Sequence, residues 1–203
     1  MKVLLINGSP RKEGNTAMAL KEVEKTLQEE GIETINLHIG TQPVRGCIAC
    51  RKCAEAGRCV FHDDLYESVY HILQEGIDGI VIGSPTYYAG PNGSLCALLD
   101  RLFYSAGRLM SFKPAAAVAI CRRGGASAVF DRLNKYFTIN HMPVVSANYW
   151  NSVHGRQPGE AIQDLEGMQT MRTIGRNMAW LLKSIDGKSH PDTEEKIYTS
   201  FVR

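Results

Sequence analysis

Apolar positions along this chain follow two alternating spacings. Residues 2–7 hold the unbroken run Val3-Leu4-Leu5-Ile6, which stops at Gly8-Ser9-Pro10 and predicts a buried strand followed by a loop. From 15 to 30, Leu20, Val23 and Leu27 recur at helical spacing, and Gly31 supplies the stop. Residues 34–38 predict a second strand. A loop introduced by Gly40 and Pro43 comes next. Asp63 or Asp64 then caps a helix whose Leu65, Val69, Ile72 and Leu73 share one face, and Gly76 ends it. Residues 78–83 predict a third strand, and 94–108 a helix with Leu95, Leu98, Leu99 and Leu102 inward. A strand at 115–121, a helix at 126–139, a short fifth strand at 142–146 and a last helix at 162–184 complete the pattern.

Strict β/α alternation with continuous apolar strands implies a parallel sheet covered on both faces. The expected architecture is α/β: a doubly wound, five-stranded parallel sheet in the flavodoxin-like order 2-1-3-4-5, in three α/β/α layers. Residues 1–185 form its single domain, with a cysteine-rich loop at 43–60 and a polar tail at 186–203. Ligands of such sheets bind beyond the strands' C-terminal ends. That rule selects the loops beginning at Gly8, Gly83 and Cys121.

Composition changes this picture little. A chain of 203 residues, 44% hydrophobic, can bury one full core. A formal charge of +2 with no long Lys/Arg block argues against nucleic acid. No apolar run reaches membrane-spanning length, and the short apolar start lacks the features of a signal peptide. A cytoplasmic location without membrane association is therefore expected, where thiols stay reduced.

The loop Gly8-Ser9-Pro10-Arg11-Lys12-Glu13-Gly14-Asn15-Thr16 joins a buried strand to a helix N-terminus. Such a junction offers unpaired N–H groups and the positive dipole end to an anion. Ser9 and Thr16 add hydroxyls, Asn15 an amide and Arg11 a guanidinium. The loop is neither a Walker loop, since Asn15 stands where Lys is needed, nor a G-x-G-x-x-G fingerprint. A terminal monophosphate suits it better; a plain capped connector is the alternative.

Gly8-Ser9-Pro10-Arg11 with Gly14-Asn15-Thr16 resembles the FMN-phosphate loop of the NADPH-dependent FMN reductase family. The stretch Gly83-Ser84-Pro85-Thr86-Tyr87-Tyr88-Ala89-Gly90-Pro91-Asn92-Gly93 resembles that family's second flavin loop. The resemblance spans roughly residues 1–150. It implies that Pro85, Thr86, Tyr87 and Tyr88 wrap the ring and ribityl chain, with Asn92 hydrogen-bonding nearby. The tyrosines offer faces and hydroxyls suited to a flat ring, or simply pack at the rim. In the third loop, Gly124 and Gly125 permit close backbone approach, and Arg122 or Arg123 would favour an anionic reduced flavin. None of the six histidines makes a catalytic case, and no catalytic side chain is assigned. In a flavoenzyme the cofactor carries the hydride chemistry.

Cys47, Cys50, Cys53 and Cys59 fall within thirteen residues as C-x2-C-x2-C-x5-C. Thiolates crowded this closely repel unless a metal, a cluster or a disulfide relieves them. The run resembles the cluster motif of iron–sulfur flavoproteins, which implies a [4Fe–4S] cluster. Zinc, with His62 as an added ligand, a redox dithiol such as Cys50 with Cys53, and a cysteine-rich loop without a bound cofactor remain open. The expected function is an FMN-dependent oxidoreductase or electron-transfer flavoprotein. Alternatives are a cluster-free NAD(P)H-dependent FMN, quinone or nitro reductase, a non-enzymatic electron carrier, and a phosphate-binding regulatory domain. NAD(P)H is the expected donor, a small molecule or redox protein the partner. A homodimer or homotetramer is expected to close the open flavin site.

Overall fold

Continuous apolar strands need cover on both faces, and the fold supplies it. The structure, a computed structural model, describes residues 1–199 and 201; Ser200, Val202 and Arg203 of the tail lie outside the described residues. In chain order the elements are β1 (Lys2–Asn7), α1 (Asn15–Glu29), β2 (Glu33–His38), α2 (Cys53–Ala56), α3 (Asp64–Glu75) and β3 (Gly79–Tyr87). There follow β4 (Gly90–Pro91), α4 (Gly93–Ala106), β5 (Ala115–Cys121), α5 (Ala126–Thr138), β6 (Ser152–His154) and α6 (Leu165–Ile185). The sheet runs β2-β1-β3-β5-β6, every neighbouring pair parallel, while the two-residue β4 pairs antiparallel with the end of β3. Leaving aside β4, this is the expected flavodoxin-like 2-1-3-4-5 order.

Alternate strand residues feed two separate cores. Leu4, Ile6, Ile80, Ile82 and Ala117 pack with residues of α3, α4 and α5. Val3, Leu5, Val81, Val118 and Ile120 pack with α1 and α6. Local signals set the helix ends. The Asp63 carboxylate accepts the Tyr66 N–H at 3.1 Å and starts α3, and Gly76 at φ 97° ends it. Among the described residues no helix is long and apolar enough to cross a membrane.

The fifth strand lies elsewhere than expected. Residues 142–146 contribute only an isolated bridge, Val144 beside Ala115, and the paired strand is β6 at Ser152–His154. Both segments run along the same edge of β5. Between them the chain bulges outward, held by the buried Asn151, whose N–H-bearing amide donates to the Val145 carbonyl and whose own carbonyl accepts from Ala119.

Candidate functional site

The C-terminal ends of β1, β3, β5 and β6 open onto one cleft of about 230 Å³. Ser9, Arg11, Asn15 and Thr16 line it from the first loop, and Pro85, Thr86 and Tyr87 from the end of β3. Cys121 ends β5 and Arg122 follows it, and Gly155 and Arg156 follow β6.

A set of short clamps holds the first loop. The Gly8 N–H donates to the Gly83 carbonyl at 2.8 Å, and a Cβ on Gly8 would stand 2.7 Å from that oxygen. Only glycine fits so close an approach. The Asn7 side chain accepts the Ser9 N–H, the Ser9 hydroxyl accepts the Arg11 N–H, and His38 Nε2 donates to the Ser9 carbonyl at 2.7 Å. Asn92 Nδ2 donates to the Gly8 carbonyl at 2.8 Å, while its Oδ1 caps α4 at the Ser94 N–H.

The N-terminus of α1 is left open for an anion. Gly14 offers no side-chain cap, and no acidic residue stands in the first turn. The Met18 N–H bonds the Gly14 carbonyl, so the amides of Asn15, Thr16 and Ala17 precede the first helical bond. Arg11, Arg122 and Arg156, all exposed, add three cations to the cleft. Thr86 contributes a buried hydroxyl with no partner among the described residues. A ligand with polar atoms and an anionic end would satisfy each of these groups.

The second loop is a strand extension. β3 continues to Tyr87, turns through Tyr88 (φ 49°) and Ala89 (φ 56°), and returns as β4. Two consecutive non-glycine residues in the left-handed region store strain at the rim. Gly125, at φ 93°, caps α5 against this hairpin; a Cβ there would lie 2.9 Å from Thr86 Cγ2 and 3.0 Å from Ala89 Cα.

A second, far tighter cavity, of about 20 Å³, gathers Cys47, Cys50, Cys53 and Cys59 with Phe61, Arg101 and Tyr104. Ala49 and Arg51, between the first three cysteines, have φ of 54° and 59°, which folds the run back on itself. The Ala49 N–H donates to Cys47 Sγ at 3.4 Å, and the Cys59 N–H to Tyr66 Oη at 2.9 Å. Burial pushes the Cys53 thiol up, and the neighbouring Cys50, Cys47 and Cys59 push it further. All six cysteines are free thiols. Among the described residues no three His, Cys, Asp or Glu side chains stand in a metal-holding group. His62, the extra ligand considered for zinc, is instead tied to Glu67 at 2.8 Å and to Arg58.

Against known proteins, residues 1–157 match the family described as NADPH-dependent FMN reductase. The chain belongs to that family. It is 35% identical over 193 residues to an iron–sulfur flavoprotein of Methanocaldococcus jannaschii, covering 91% of this chain and 99% of the relative. It is 30% identical to an iron–sulfur flavoprotein of Methanosarcina thermophila, covering 91% and 97%. Among solved structures, RosB with a bound 8-demethyl-8-formylriboflavin-5'-phosphate intermediate superposes with a TM-score of 0.73 at 14% identity, covering 100% of this chain and 92% of that one. That likeness speaks for the fold.

Family membership supports FMN as a cofactor of this chain, and the cleft is the candidate place for it. Of the residues expected around it, Ser9, Arg11, Asn15, Thr16, Pro85, Thr86 and Tyr87 come together there. Asn15 also spends its amide elsewhere: Nδ2 donates to the Gln157 carbonyl, and Oδ1 accepts from Gly159 and Ala161. Asn92 is likewise engaged at both ends by protein, Tyr88 is fully exposed at the hairpin tip, and Arg123 and Gly124 are exposed outside the lining. Arg156 and Gly155 were missed because the fifth strand was expected ten residues too early. The signal available was Gly155 directly after Val153-His154.

Proposed function

We propose that this FMN-dependent oxidoreductase is an electron-transfer flavoprotein that carries FMN in the main cleft and a [4Fe–4S] cluster on Cys47, Cys50, Cys53 and Cys59. The observation that carries the reading is the gathering of those four thiols on one cavity faced by a buried guanidinium. The residues suit both groups. Thr86 keeps a buried hydroxyl free beside the cleft, and Arg101 keeps a buried Nε free beside the thiols. Two relatives that match over nearly their whole length bear the iron–sulfur flavoprotein name.

In this reading the first-turn amides of α1, with Arg11 and the Ser9 and Thr16 hydroxyls, hold the phosphate. Pro85, Thr86 and Tyr87 line the ribityl chain and ring, and Arg122 and Arg156 favour negative charge on the bound cofactor. FMN supplies hydride and one-electron chemistry, and a cluster supplies a one-electron port. The chain's own part is to bind, orient and set the local field. NAD(P)H is the proposed donor, and a small molecule or redox protein the proposed acceptor. A second copy closes the exposed side of the cleft.

A cluster-free NAD(P)H-linked reductase is the second reading, favoured by the lack of a ligating arrangement among the described residues. One experiment divides the two: a visible spectrum with iron, sulfide and zinc analysis on protein purified without oxygen. About four irons per chain under flavin bands supports the cluster. Flavin bands without metal, bleached by NAD(P)H, support the second reading.

A further inference from the structure

Arg101 heads the fully buried side chains by volume, at 1% exposure, on the face of α4 that otherwise carries Leu98 and Leu102. A guanidinium buried this deeply must be paired. Its Nη1 donates to the Arg45 carbonyl at 3.3 Å and to the Asp63 carboxylate, and its Nη2 to the Phe61 carbonyl at 2.7 Å. Arg45 precedes Cys47 and Phe61 follows Cys59, so one side chain closes both ends of the cysteine loop. The guanidinium also lies over the Tyr66 ring at 4.8 Å, and Tyr66 in turn accepts the Cys59 N–H. Its Nε is buried without a partner among the described residues, and Arg101 lines the same cavity as the four thiols.

The counter-charge is placed unequally. The Asp63 side chain is 39% exposed against 1% for Arg101. Water screens the carboxylate more than the buried guanidinium. Arg101 lines the thiol cavity and Asp63 does not, so the positive member of the pair is the one that faces the thiols.

We infer that Arg101 is a positioning residue for the redox group on Cys47, Cys50, Cys53 and Cys59: it closes their loop, and its buried charge stabilises the electron that the group accepts. This rests on the cluster reading above. The group's one-electron reduction is thereby made easier than it would be beside a neutral side chain.

The test uses anaerobically purified, iron-loaded holoprotein, reduced stepwise with dithionite as one-electron source and followed by electron paramagnetic resonance. The bound FMN midpoint serves as internal reference. Arg101→Met is expected to shift the iron centre's reduction equilibrium at least tenfold toward the oxidised form, which is about 59 mV for one electron, with FMN unmoved. Arg101→Lys, which keeps the charge, recovers most of that shift. Asp63→Asn keeps a capping side chain but removes the counter-charge, and it is expected to shift the equilibrium the opposite way. It covers the case in which Arg101→Met fails to fold or to load iron. An iron-loaded protein whose midpoint is the same in wild type, Arg101→Met and Asp63→Asn overturns the inference and leaves the cluster reading standing. A wild type free of iron and acid-labile sulfide overturns both.

Discussion

Replacing Asn92 with Ala removes two contacts that join the candidate phosphate loop to the start of α4. The side chain is 8% exposed; it caps α4 through the Ser94 N–H at 3.1 Å and supports the Gly8 carbonyl at 2.8 Å. Losing an N-cap costs about 1 kcal/mol, and leaving a buried carbonyl unpaired costs about 1–3 kcal/mol. The sum is about 2–4 kcal/mol, and a loss of about 3 kcal/mol lowers the melting midpoint of a domain this size by roughly 6–12 °C. Asn92→Ser restores a cap but is too short to reach Gly8, so its loss falls between wild type and Asn92→Ala. The assay is urea unfolding at a fixed FMN concentration, with FMN affinity read by fluorescence quenching. An Asn92→Ala protein that unfolds like wild type but binds FMN poorly refutes the clamp and makes Asn92 a direct ligand contact. Wild-type stability in Asn92→Ser refutes the Gly8 contact alone.

Three further outcomes are expected. Arg11→Ala weakens FMN binding by about 1.5–3 kcal/mol if its guanidinium pairs with the phosphate; unchanged affinity by titration removes Arg11 from the site. Cys53→Ser abolishes iron incorporation while FMN stays bound, and full iron content in that variant rejects the proposed ligand set. Asp164 joins β6 to α6 by accepting the His154 N–H at 2.6 Å and the Gly167 N–H at 3.0 Å. Burial pushes its carboxyl up, but those hydrogen bonds and His154 outweigh it and hold it below the ordinary value of 3.8. Its stabilisation is therefore present above about that pH and is lost as pH falls through the lower folded value. Unfolding midpoints measured against pH should show a flatter acid limb in Asp164→Asn.

Strand and helix identity follows from the chain wherever the pattern is long or capped. The unbroken apolar runs of β1 and β5, the Asp63 cap and the Gly76 stop are local facts, and each element formed where they put it. The candidate phosphate loop and the cysteine run were also visible, because their chemistry lies in contiguous residues. The fifth strand was not. Ser152-Val153-His154 is three residues long with one buried side chain, too short to announce itself, and it is a strand only because β5 offers an edge to pair with. Arg156 joins the cleft only through that pairing. Asn15 and Asn92 look like ligand groups in the sequence. Their hydrogen bonds to residues 157–161 and to Gly8 span separations of 142 and 84 residues, which only tertiary packing can supply. Arg101 is the sharpest case: a charged residue on a helix reads as a solvent-facing position. It is buried because Arg45, Phe61 and Asp63, brought from the two ends of the cysteine loop, accept hydrogen bonds from its two terminal nitrogens and balance its charge.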